Sequence, residues 1–130
     1  MREEQREWPT NAKGLTFDPL KGRIMLFKST IETLGTPEYF RFLFNPAKRK
    51  FAVQACSIKD EGADRMPKLR EGDCCYISCN ALVQYVFSTC KWDSDFTHRV
   101  EGVFHSEENL VEFDLTHSWE LRWEKTENEG

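Results

Sequence analysis

The sequence contains no long hydrophobic run. No stretch approaches the roughly 18 consecutive apolar residues that a membrane-spanning helix requires. The opening segment MREEQREWPTNAKG is charged where a secretory signal peptide would be apolar. We therefore expect a cytosolic protein that does not interact with membranes.

The motifs of common nucleotide-binding and hydrolytic enzymes are also missing. The chain has no G-x-x-x-x-G-K-[ST], G-x-G-x-x-G, G-x-S-x-G or H-E-x-x-H pattern, so the usual carriers of those chemistries are absent. Asp93 and Asp95 fit a turn before a strand better than a catalytic carboxylate pair. Cys90 could act with His98 or His105 only through a side-chain approach that the sequence does not reveal. We expect no enzymatic activity, no catalytic residue, no cofactor and no small-molecule substrate.

Paired metal ligands are lacking as well. The close set CCYISC has no second cysteine pair and no histidine pair at the spacing of a zinc site. An odd number of cysteines, most of them in apolar segments, favours free thiols in a reducing compartment. We therefore expect no metal and no disulfide among the five cysteines, Cys56, Cys74, Cys75, Cys79 and Cys90.

Large apolar side chains, by contrast, are abundant. Hydrophobic residues make up 39% of the chain and aromatic residues 13%, with ten Phe and four Trp, which is enough to build a core. A length of 130 residues falls within the range of one domain. We expect one globular domain over residues 14–121, between polar tails at 1–13 and 122–130.

One order of short apolar runs and turn residues occurs twice. In residues 22–56, GRIMLF predicts a strand, STIETLG a short helix, and YFRFLF and KFAVQAC a hairpin about the turn NPAKR. Ser29 is expected to cap the helix in a capping box with Glu32, and Gly35 to end it.

Residues 74–115 repeat this order with different residues. CCYIS predicts a strand, NALVQYVFSTC a helix capped by Asn80 or Ser78, and FTHRVEGVFH and LVEFDL a hairpin. The helix has one apolar stripe, formed by Leu82, Val83, Val86 and Phe87. We therefore predict an α+β, β-rich single domain of two pseudo-symmetric β-α-β-β units with short helices at the periphery.

The net charge of -4 conceals an uneven distribution. Residues 21–54 have seven basic and two acidic residues, a formal +5, whereas residues 73–115 have two basic and eight acidic residues, a formal -6. Such asymmetry can steer an anionic partner to one face or pair two copies head to tail. The remaining alternative is that both halves are solvated surfaces without a partner.

The stretch KGRIMLFKSTIETLG, followed by a hairpin, resembles the start of the AbrB-like swapped-hairpin transcription factors. The resemblance covers about residues 21–53, and the matching positions are Gly22, Arg23, Ile24, Lys28, Ile31, Leu34 and Gly35. It implies a DNA-binding, transcription-regulating module of two intertwined hairpins, usually a homodimer. Under this resemblance Arg23 and Lys28 would contact DNA, and the two units could supply both hairpins from one chain.

The basic residues of the first unit are the candidate nucleic-acid contacts. Affinity for DNA comes largely from neutralised phosphates, and these residues form one stripe if the hairpin tip and the first strand share a face. The predicted set is Arg23, Lys28, Arg41, Lys48, Arg49 and Lys50. The alternative is that NPAKRK is a solvated tip that protects an edge strand from aggregation.

The segment HSWELRW spaces Trp119 and Trp123 so that both lie on one face of a helix or of a strand. They either close the core or form a partner-binding aromatic patch. The alternative to DNA binding is therefore a protein-interaction or assembly domain. In that case the basic half of one copy would meet the acidic half of another copy or of a different protein.

Overall fold

β-Strands dominate the structure. The computed structural model describes residues 13–68 and 74–121. Its elements are β1 (Gly14–Asp18), β2 (Arg23–Phe27), α1 (Lys28–Thr33), β3 (Tyr39–Asn45), β4 (Lys50–Cys56), β5 (Asp64–Arg65), β6 (Cys74–Ser78), α2 (Asn80–Cys90), β7 (Thr97–His105), β8 (Leu110–Asp114), a 3-10 helix (Leu115–His117) and β9 (Trp119–Leu121). No helix within these residues is long and apolar enough to cross a membrane.

The strands form one curled antiparallel sheet, a half-barrel. Their order is β5-β3-β4-β8-β7-β1-β2-β6, and β9 pairs with β7 off this path. Neighbours in sequence form the pairs β1–β2, β3–β4 and β7–β8, whereas β2–β6 and β4–β8 join the two halves of the chain. The prediction of a β-rich domain with two short helices is confirmed.

Strand alternation decides which side chains enter the core. On β2, Ile24 and Leu26 are fully buried, and on β8, Val111 and Phe113 are fully buried, because every second residue points to the same face. We call the opposite side of the sheet the outer face. Its strands carry mostly polar side chains there, such as Glu112 and Asp114 of β8.

Helix α2 packs on the core through the stripe that the sequence predicts. Val83, Val86 and Phe87 are buried, and Leu82 packs against the core from a partly buried position. The predicted caps are wrong, because the helix starts at Asn80 with Cys79 as the N-cap residue and no side-chain cap bond. Asn80 Oδ1 instead accepts from Gln84 Nε2.

Helix α1 differs from the prediction at its start and agrees at its end. Strand β2 runs directly into the helix, so Phe27 is the N-cap residue and the predicted Ser29 cap is wrong. Thr30 Oγ1 donates to Gly14 O at 2.8 Å and ties the helix to β1. Gly35, with φ of +85°, ends the helix as predicted, because left-handed backbone suits glycine.

A smaller prediction, the turn at Asp93 and Asp95, is borne out by a hydrogen bond. Asp93 forms a turn before β7, since its Oδ1 accepts from Asp95 N at 2.9 Å. Cys56, Cys75, Cys79 and Cys90 are free thiols. Burial raises the pKa of the Cys79 and Cys90 thiols, so both thiols stay protonated near neutral pH.

Candidate interaction site

An open groove of about 530 Å³ crosses the outer face of strands β3, β4, β8 and β7. Leu43, Ala52 and Leu110 contribute apolar side chains to its lining. Leu43 pairs with Ala52 across β3 and β4, and paired residues point to the same face. Leu43 is 37% exposed and Val103, beside the groove on β7, is 64% exposed. The groove therefore presents accessible apolar surface.

The two hairpin loops lie at opposite ends of this groove. Strands β4 and β8 are antiparallel, with Lys50 opposite Asp114 and Gln54 opposite Leu110. The loop that precedes Lys50 and the loop that precedes Leu110 therefore point in opposite directions. The first loop is the sequence PAKR and the second is SEEN, so one end of the groove is basic and the other is acidic.

The basic end is shaped by its turn. Lys48 N donates to Asn45 Oδ1 at 3.2 Å, and Arg49 N donates to Pro46 O at 3.3 Å. Arg49 has a φ of +53°. Asn and Pro are residues that favour such turns, so the local sequence alone positions Lys48 and Arg49 in solvent.

A three-membered cluster crosses the middle of the groove. The Glu112 carboxylate lies 3.4 Å from Lys50 Nζ and 2.8 Å from His105 Nε2. The three residues come from β8, β4 and β7. Because the Lys50 and Glu112 side chains are two-fifths exposed or slightly less, their ion pair stabilises the fold by less than about 1 kcal/mol. The cluster therefore fixes the orientation of Lys50 and neutralises its charge.

The six predicted nucleic-acid contacts fall into two groups. Arg41, Lys48, Arg49 and Lys50 belong to the β3–β4 hairpin, whereas Arg23 and Lys28 lie on β2 and α1. Three strands, β8, β7 and β1, separate β2 from β4 in the sheet. At about 4.8 Å for each strand-to-strand step, the two groups are about 19 Å apart along the sheet.

Most of these cations already have partners in the same chain. Four are paired: Arg23 with Asp18 (3.4 Å), Lys28 with Glu32 (4.0 Å), Arg41 with Gln54 (2.8 Å) and Lys50 with Glu112 (3.4 Å). Lys48 and Arg49 are exposed and form no ion pair within residues 13–68 and 74–121. Sequence reasoning missed the partners because Asp18 and Glu112 reach the cations through strand pairing.

The predicted aromatic patch is described only in part. Trp119 lies on β9 opposite Arg99 of β7, and it is half-buried. It contributes to a second, smaller depression of the outer face, beside Glu101 and His117. Trp123 lies outside the described residues.

Sequence reasoning assigned no structural role to His98, which is the most unusual titratable group in the described chain. Its ring stacks on Trp92 with centroids 4.2 Å apart and planes 2° from parallel, and Phe87 meets it edge-on. Its Nδ1 lies 3.1 Å from Ser118 Oγ. Burial lowers the pKa of His98 to about 4. The alternation in FTHRV, which places His98 on the same face as Val100, could have indicated this burial.

Comparisons with known proteins assign no function to these surfaces. No protein family matches the chain, and neither a curated protein nor a solved structure matches it at a significant level. The function must therefore be argued from the residues themselves.

Proposed function

We propose that the protein is a non-enzymatic cytosolic assembly domain that binds a second copy of itself through the groove. The observation that supports this proposal is the arrangement of a basic end, a middle part with exposed apolar side chains beside the Lys50–Glu112–His105 cluster, and an acidic end on one face. A twofold rotation brings the basic end of each copy against the acidic end of the other. Such a surface is complementary to itself, as a twofold interface requires.

The middle and the ends of the groove have different parts in this association. Burial of the exposed Leu43 and Val103 side chains would supply the nonpolar contact. Contacts of Lys48 and Arg49 with Glu107 and Glu108 would select the orientation, because charges at an interface rim contribute more to specificity than to affinity. We therefore expect a reversible dimer that weakens as salt is added.

Reversing the charge of the basic end tests this proposal. We expect Lys48→Glu with Arg49→Glu to raise the dimer dissociation constant by about tenfold or more, because two acidic ends would then face each other. Sedimentation equilibrium at low salt measures the change.

The matched control is Lys59→Glu with Lys68→Glu. It makes the same change in net charge at two exposed positions outside the groove lining, and it should leave the dimer intact. A wild-type protein that stays monomeric at every concentration would contradict the proposal. Equal dissociation in the control would show that net charge alone is responsible.

Nucleic-acid binding is the second candidate function. It is supported by the exposure of Lys48 and Arg49, which lack ion pairs within the described chain, and by the resemblance of residues 21–53 to AbrB-like swapped-hairpin transcription factors. Fluorescence anisotropy with duplex and single-stranded DNA at two salt concentrations tests it on the same Lys48/Arg49 variant. Salt-sensitive binding that the variant loses would favour transcription regulation. The absence of binding at low salt would exclude it.

We further infer that the chain consists of two pseudo-symmetric β-α-β-β units that exchange strands. This is supported by the antiparallel pairing of β2 with β6 and of β4 with β8. The hairpin loops of the two units also match, because each has four residues and ends on a positive φ, +53° at Arg49 and +52° at Asn109. An exchange of this kind would make a swapped hairpin within one chain.

A further inference from the structure

A further small pocket, which we call the arginine pocket, lies on the outer face, on the part of the sheet formed by β6, β2, β1, β7 and β9. Its volume is about 120 Å³. Two arginines, two threonines and two apolar side chains form much of its lining: Arg23, Arg99, Thr16, Thr97, Met25 and Tyr76. It is separate from the groove of the proposed function and has no lining residue in common with it.

Strand register brings these side chains together. Thr16 of β1 lies opposite Met25 of β2 on one side and opposite Arg99 of β7 on the other. Two residues farther along β1, on the same face, Asp18 lies opposite Arg23 of β2. Because paired residues of antiparallel strands point to the same face, polar groups from three strands converge on one spot.

The Thr97 hydroxyl in this pocket has no hydrogen-bond partner among the described residues. Thr97 is 4% exposed, and its Oγ1 forms no hydrogen bond with any described residue. Folded proteins pair nearly all of their buried polar atoms, so an unpaired hydroxyl in a pocket points to a group supplied from outside. The hydroxyl can donate to such a group or accept from it.

Arg23 determines the sign of the charge that this group should carry. Its Nε is buried without a hydrogen bond inside the described chain, and its ion pair with Asp18 Oδ2 is long at 3.4 Å. The guanidinium lies 4.0 Å above the Tyr76 ring, which holds it in place. A guanidinium donates only, so a hydrogen-bond partner for Nε, in addition to the ion pair with Asp18, must be an acceptor.

The size and the charge of the pocket narrow the choice of ligand. Among the described lining residues, Arg23 forms only a long ion pair of 3.4 Å with Asp18, so its guanidinium keeps donors for an anion. A volume of about 120 Å³ corresponds to about four water-sized groups, at about 30 Å³ each. Arginine also matches the planar geometry of a carboxylate. We propose that this pocket binds a small carboxylate, which accepts hydrogen bonds from Thr97 Oγ1 and from the Arg23 guanidinium.

Acetate is the probe for this proposal, and acetamide is its neutral counterpart of the same shape. A titration of the 15N-labelled full-length protein, at constant ionic strength, follows the amide resonances of Thr97 and Arg23. We expect saturable shifts with acetate and none with acetamide. Thr97→Val, which keeps the shape and removes the hydroxyl, should weaken acetate binding by about tenfold.

A second variant keeps the experiment decisive if Thr97→Val fails to fold. Arg23→Gln removes the charge and should abolish the acetate shifts, while the spectrum elsewhere remains that of the folded protein. Three results would overturn the proposal. They are non-saturable shifts with acetate, equal shifts with acetamide, or tighter binding of inorganic phosphate than of acetate, which would assign the pocket to a different anion.

Discussion

Replacement of Phe51 by alanine should lower the free energy of unfolding by about 3–5 kcal/mol. Phe51 is 1% exposed, and its ring meets Phe17 edge-on at 5.2 Å and Phe42 at 5.3 Å between centroids. These rings come from β4, β1 and β3. Because three strands border the site, no single side chain can move to fill the cavity that truncation would leave.

Urea denaturation measures this loss, and Phe44→Ala is the control of matched chemistry. Phe44 is only partly buried, so its truncation to alanine should lower the free energy of unfolding by clearly less. The loss at Phe51 is a large fraction of the roughly 5–15 kcal/mol that stabilises an ordinary domain. If the alanine variant does not fold, Phe51→Leu is a milder truncation at the same position, and its loss of unfolding free energy can be measured instead. Equal losses at Phe51 and Phe44 would contradict the assignment of Phe51 to the centre of the core.

Acidification from pH 7 to pH 4 should lower the free energy of unfolding by about 3 kcal/mol through His98 alone. Burial lowers the pKa of His98 from 6.5 to about 4 in the folded protein, and this difference corresponds to about 3 kcal/mol. The unfolded chain therefore takes up a proton first as the pH falls. The stabilisation is complete above about pH 6.5, is lost as the pH falls towards 4, and levels off below the folded-state pKa.

The matched control for this prediction is His98→Phe, which preserves the stacking on Trp92 and removes the titrating group. Its stability should vary much less between pH 6.5 and pH 4. Two carboxylates of the described chain act on His98: Glu120 lies 3.8 Å from Nε2, and the charge of Asp93 opposes the lowering of the pKa.

Asp114 acts in a lower range of pH than His98. Hydrogen bonds from Thr116 lower the pKa of Asp114 below its ordinary value of 3.8, so the contribution of Asp114 to stability is lost only at more acidic pH.

Parallel profiles of unfolding free energy against pH for the wild-type and His98→Phe proteins, between pH 4 and pH 7, would contradict the role assigned to His98.

Local signals in the sequence were sufficient to locate the six strands and two helices that were predicted. Asn45 and Pro46 mark one hairpin turn, and the alternation of Val111 and Phe113 with polar neighbours marks a strand that is buried on one side. Each of these signals lies within a few residues of the element that it predicts. For this reason the elements could be located without knowledge of their neighbours in the sheet.

The remaining features depend on contacts between distant parts of the chain. Strands β5 and β9 were not predicted, because they have only two and three residues and pair with strands farther away in sequence, β3 and β7. Strand β1 was also not predicted, although it pairs with the next strand, β2. The partner of Lys50, Glu112, and the convergence of Thr97 with Arg23 both follow from the order of the strands in the sheet. No local pattern specifies that order, so the position of the basic end was predictable, whereas the groove and the arginine pocket were not.

Mixing two charge-reversed proteins tests the central claim most directly. Lys48→Glu with Arg49→Glu makes both ends of the groove acidic, and Glu107→Lys with Glu108→Lys makes both ends basic. At low salt we predict that each variant alone sediments as a monomer, because like charges face each other, and that the equimolar mixture sediments as a dimer. A mixture that remains monomeric, or variants that dimerise alone as well as the wild-type protein does, would contradict assembly through the groove.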